Sequence, residues 1–172
     1  YEAGGGGMGA HLSRVRAFLR SVAARGFDLC LIDTAAGLFG VTGDVIASSD
    51  AILIPQQAEP LGIRSVPKLL EGLNRLRVMN PRLSVLGVCL TMVQQELAES
   101  TEAAAALRQL LPPEMVFQTQ IPRDGLFVRA SARGLPIGVL EDGAGAQVVF
   151  DSLRAEIEAK LEPNSGHYSA RG

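Results

Sequence analysis

The sequence predicts an α/β protein with a doubly wound, mostly parallel sheet and helices on both faces. Two observations carry this. Apolar runs without polar alternation recur at residues 29–32, 51–55 and 83–90, as strands read when both faces are covered. Segments with apolar residues three and four apart lie between them, at the spacing of right-handed βαβ crossovers. The chain has 172 residues, 47% of them hydrophobic, and a net charge of −2. That is enough for one sizeable core, and it provides no global basic field for nucleic acid. The organisation expected is a flexible glycine-rich segment at residues 1–9, one α/β domain at 10–162, and a disordered tail at 163–172.

In residues 1–9, Gly4, Gly6 and Gly9 formally fit G-x-G-x-x-G. No strand precedes them to aim a phosphate-binding turn, so they read as a linker. In residues 11–25, Leu12, Val15, Leu19 and Val22 form one helical face, and Arg14, Arg16, Arg20 and Arg25 make the other side basic. That side either touches phosphate or an acidic partner, or is a solvated helix face.

Residues 27–37 are the stretch on which the rest is organised: an apolar run ending in Asp33, then Thr34, two alanines and Gly37. Ligands of open α/β sheets bind at the carboxyl ends of strands. Asp33 there holds a magnesium ion or polarises a water, or else it caps the next helix.

A turn and a short helix follow over residues 37–49, then a strand over 51–55 that Pro55 ends. Residues 60–78 place Leu69, Leu70, Leu73 and Leu76 on one face and Arg64, Lys68, Glu71 and Arg75 on another. The Asn80-Pro81 pair is a stop signal, and Thr91 falls at the end of the next strand. An alanine-rich helix over 96–111 is stopped by Pro112 and Pro113. Residues 115–119 read as a fourth strand, 126–132 as one or two helical turns, 134–139 as an extended return, and 143–161 as a final amphipathic helix.

Cys30 and Cys89 sit in apolar runs and read as free thiols, which fits a reducing cytoplasm. No apolar run reaches the about 18 residues that span a bilayer, and no secretory leader opens the chain. A start at Tyr1 reads as a fragment or a processed product.

Residues 27–37, then 50–56, 87–92 and 116–123, resemble four successive landmarks of the ParA/MinD family of deviant P-loop ATPases, which partition plasmids and chromosomes or position other cargo. The resemblance covers residues 27–161. It implies a P-loop NTPase-like fold, ATP and Mg²⁺ as cofactors, and a homodimer that switches with ATP. It further implies a partner protein that stimulates the ATPase, and a cytoplasmic, nucleoid-associated location. Asp33 matches the Walker B acid near Mg²⁺, and Thr34 to Gly37 the switch that senses the γ-phosphate, with Ala35 and Ala36 at the usual prolines. Thr91, Met92, Pro122, Arg123 and Asp124 match the region around the adenine base.

Nonspecific DNA binding in the ParA branch uses scattered basic residues. Glu96 and Leu126 occupy two such positions here, while Arg123, Arg129 and Arg133 supply charge nearby. The departure lies in the P-loop. The chain has no Gly-Lys pair, its only lysines are Lys68 and Lys160, and the family's first strand is missing. It therefore looks like the later two thirds of such an ATPase, inactive by itself. A non-catalytic relative used for dimerisation or protein binding is the alternative. A phosphoacceptor receiver domain fits less well, because it wants an early acidic pair and a later lysine.

Overall fold

The computed structural model describes residues 9 and 11–161. The linker and tail expected at the two ends therefore lie, apart from Gly9, outside the described residues. The described chain forms two compact units, one from the residues up to Ile52 with Val66–Ser84, the other from Leu53–Ser65 with the residues from Val85 onward.

In the first unit, α1 (Leu12–Ala23) packs on α2 (Gly40–Ser48). Leu12, Val15, Leu19 and Val22 of α1 are half-buried and its arginines exposed, as the periodicity requires. The N-terminus of α1 has no cap of its own. The residues that lead into it are held instead by Asp44 of α2, a fully buried carboxylate that accepts from Gly9 N at 2.6 Å and His11 N at 2.8 Å. A buried charge is tolerated because charge-assisted hydrogen bonds replace its water. Ile46, Ala47, Val66, Leu73, Leu76 and Leu83 are the buried apolar residues of this unit. Of these, Val66, Leu73 and Leu76 lie on the inner face of α3 (Pro60–Met79).

The main departure from the sequence reading also falls here. Residues 27–33 do not form a strand, and Phe27, Leu29 and Leu31 are exposed, Leu31 to 84%. A strand exists only through its ladder, and among the described residues no backbone hydrogen bond ties this segment to another. An apolar run without alternation needs cover on both faces, and this segment has it on neither.

The second unit holds most of the two-stranded sheet of β1 (Ala51–Gln57) and β2 (Ser84–Thr91). Asp50 O accepts from Ser84 N and Thr91 O from Ala58 N, both at 2.9 Å, so partner numbers rise together and the pair is parallel. Pro55 does not end β1. It is exposed on a strand with one neighbour, where a missing N–H costs no ladder bond.

Residues 115–119 are not a continuous strand either. A 3₁₀ turn at Pro113–Met115 leads into two isolated parallel bridges, Val88 with Val116 and Val93 with Pro122. Helices α4 (Ala98–Leu110), α5 (Gly125–Arg133) and α6 (Ala144–Leu161) follow the expected order. The extended return between the last two is instead a 3₁₀ turn at Ile137–Val139. Gly134 stops α5 at φ 62° and ψ 30°, the left-handed conformation that favours glycine.

Candidate functional site

The carboxyl end of β2 and the loop after the Val116 bridge run side by side. Val93 N donates to Ile121 O at 3.1 Å, and Arg123 N returns to Val93 O at 2.9 Å. This pairs Val93 with Pro122, so the chain leaving β2 through Thr91 and Met92 runs alongside the loop that holds Arg123 and Asp124. Met92 has φ 55°, a left-handed backbone that an unbranched side chain adopts only at a cost of about 1–2 kcal/mol. Such strain clusters at functional loops. Asp124 is the N-cap of α5, its Oδ1 accepting from Leu126 N at 2.8 Å, which fixes the direction in which the loop leaves.

Two grooves flank this loop. One of about 300 Å³ is lined by Pro122, Asp124, Phe127, Val149 and Phe150 among others, and the two rings meet edge to face at 6.2 Å. The other, about 500 Å³, is lined by Glu59, Gln94, Leu97, Ser100 and Arg123 among others. Both fall within or near the usual range of small-molecule sites, about 300–1,000 Å³. The buried Ser100 hydroxyl is already engaged, accepting from Gln94 N at 3.1 Å.

Asp33, Thr34 and Gly37 lie on the exposed, unladdered segment of the first unit. Gly37 has φ 110°, open to glycine and strained for other residues. Asp33 does not cap the next helix, because the N-cap of α2 is Phe39. Its carboxylate is exposed and has no ion-pair or hydrogen-bond partner among the described residues. Magnesium on a nucleotide takes one or two carboxylates, with phosphate and water filling the other positions. Asp33 fits that single role, and no group of three His, Cys, Asp or Glu gathers as a ligand set among the described residues.

The arginines divide. Arg129 pairs with Asp142, and that hydrogen bond, with the charges of Arg129 and Arg133, holds the Asp142 carboxyl below its ordinary range. Arg123 is exposed and has no ion-pair partner among the described residues. Sequence reasoning missed Asp44, Glu156 and Lys160. Glu156 and Lys160 had a signal, since they fall with Val149 and Leu153 on the half-buried stripe of α6, where an acid needs a partner. Cys89 is buried, and burial, then the nearby Glu156 charge, pushes its thiol up to about 11, so it stays protonated. Cys30 is exposed, because its segment is not a strand.

The fold is that of the P-loop NTPases. A Cyanothece McdA variant in complex with ATP superposes with a TM-score of 0.66 at 23% identity, over 90% of this chain and 57% of that one. The MinD cell division protein of Aquifex aeolicus gives 0.63 at 19% identity, over 84% and 59%. The chain belongs to the VirC1 protein family, whose model matches residues 9–121, and with it to the wider ParA/MinD family. The chromosome-partitioning ATPase Soj of Thermus thermophilus is 30% identical over 138 residues, 80% of this chain and 55% of Soj. The chain thus spans about half the length of the relatives it matches.

Proposed function

We propose that this chain is part of a ParA-type ATPase that partitions a plasmid or chromosome, or positions other cargo, as an ATP-dependent dimer switch with nonspecific DNA binding. The observation that carries the reading is the pairing of Val93, just past the end of β2, with the Ile121–Arg123 segment, beside grooves of small-molecule size. The names of its relatives, among them a chromosome-partitioning ATPase and an ATP-bound McdA, support it further.

In this reading Thr91, Met92, Pro122, Arg123 and Asp124 surround the base. Thr34 to Gly37 sense the γ-phosphate, and the free carboxylate of Asp33 reaches the metal. Mg²⁺ supplies charge neutralisation between the phosphates. The protein acts in the cytoplasm on the nucleoid, with a second protein stimulating turnover.

DNA contact is assigned to Arg123, Arg129 and Arg133, with help from Arg14, Arg16 and Arg20 on α1. The test is a salt titration of binding to random duplex DNA, with and without Mg–ATP, for the protein encoded by the complete gene and its Arg129→Ala, Arg133→Ala double variant. Each lost phosphate contact lowers the slope of log K against log salt by about 0.9. Arg129 is shared with Asp142, so the expected loss is nearer one contact than two. An unchanged slope removes the patch. Absence of binding at low salt removes the DNA role and favours the second reading, a non-catalytic relative used for dimerisation or protein binding.

A further inference from the structure

The third segment of the parallel ladder contains a register break. Phe117 N donates to Val88 O and Ile121 N to Leu90 O, both at 2.9 Å. Successive ladder bonds of a regular parallel pair advance two residues on each side, so Thr119 N would meet Leu90 O. Here the chain advances four residues from Phe117 to Ile121 while β2 advances two from Val88 to Leu90. Two residues are therefore extruded as a bulge, and their N–H groups need acceptors.

Helix α6 supplies them. Glu156 accepts from Gln118 N through Oε1 at 2.8 Å and from Thr119 N through Oε2 at 3.0 Å. One turn further, Lys160 Nζ donates to Glu114 O at 2.5 Å and lies 5.0 Å from the centroid of the Phe117 ring. The buried Cys89 thiol faces Thr119 O at 3.6 Å. The side chains of one helix thus hold the chain just before the break and within it.

We propose that Glu156 is a positioning residue that sets the register of this segment, and so the place at which the Pro122–Arg123–Asp124 loop begins. Without its carboxylate the regular ladder becomes the better arrangement. Thr119 N takes Leu90 O, the bulge closes, and the loop is displaced by two residues. The consequence for nucleotide rests on the function proposed above; the register itself does not.

The test is residue-resolved amide exchange on the 172-residue chain without nucleotide, comparing wild type, Glu156→Ala and Glu156→Gln. In the Ala variant, Gln118 exchanges about 10- to 100-fold faster, the size of a lost bond to a charged acceptor, and Arg123 exchanges faster because its place on Val93 O passes to Ile121, while Thr119 and Ile121 stay protected by their new partners. The Gln variant keeps one acceptor oxygen and falls between. Faster exchange at Gln118 and Thr119 with Arg123 unchanged reduces Glu156 to a local contact and overturns the proposal, as does an unaltered pattern. Should the Ala variant unfold, the Gln variant is judged by the same pattern. A shifted register with unaltered ATP affinity in the protein from the complete gene would leave this inference standing and remove the base-binding reading.

Discussion

Gly87→Ala is expected to lower the unfolding free energy of the chain by about 3–4 kcal/mol, more than half of the stability of a domain at the low end of the usual range of about 5–15 kcal/mol. Gly87 lies in the middle of β2 with φ 140°, a backbone that costs an L residue about 1–3 kcal/mol. A Cβ there would also stand 2.7 Å from Met115 O and 3.2 Å from Phe117 Cε2. The first neighbour is backbone and the second belongs to a fully buried ring, so neither yields by a rotamer change. The 3₁₀ turn at Pro113–Met115 must move away, straining the Phe117 N to Val88 O bond. Chemical denaturation of the two proteins measures the difference. A loss below about 1 kcal/mol would mean that the close approach of residues 115–117 to β2 is not as described.

The chain of 172 residues is expected to show no ATP turnover above background. P-loop chemistry needs backbone N–H groups cradling the phosphates and a lysine charge that strengthens as the transition state forms. The sequence has no Gly-Lys pair. Of its two lysines, Lys68 is exposed on α3, and Lys160 is committed to Glu114 O and the Phe117 ring. Arginine does not substitute, since its planar fork is not the compact point charge such a loop encloses. Losing one electrostatic support of this kind costs about 10²–10³ in rate, and here the cradle is absent with it. Turnover with Mg–ATP that vanishes in Asp33→Ala would contradict this.

The elements that were legible in the sequence are those stabilised within their own span or by near neighbours. The amphipathic spacing gave the half-buried face of α1 and, on α3, the buried Leu73 and Leu76 but not Val66, and the unalternating run at residues 83–90 became β2 with an offset of one residue. Residues 29–32 carry the same apolar signal and form no strand, because a strand depends on partners that pattern does not encode. Residues 115–119 failed for a different reason. Their β-prone composition is real, but Glu156, nearly forty residues later, takes the N–H groups a strand would use.

The same division holds at the site. Residues 121–124 were readable as a loop because Pro-Arg-Asp-Gly is a local pattern, and the structure adds that Asp124 caps the helix that follows. Asp44 was not readable. It stands between Gly43 and Val45 in a short helix, and its role appears only when Gly9 and His11 arrive from more than thirty residues away. The pairing of Arg129 with Asp142 is likewise invisible to charge counting, and it engages one of the three arginines of the basic patch.

The most direct test of the ParA-type reading is ATP hydrolysis by the protein encoded by the complete gene, beside its Asp33→Ala variant, with thermal unfolding of both. Asp33 is exposed and has no partner among the described residues, so the unfolding temperatures are expected to agree while turnover falls by about 100-fold or more in the variant. Equal turnover in the two proteins, or none in the wild type, would contradict it.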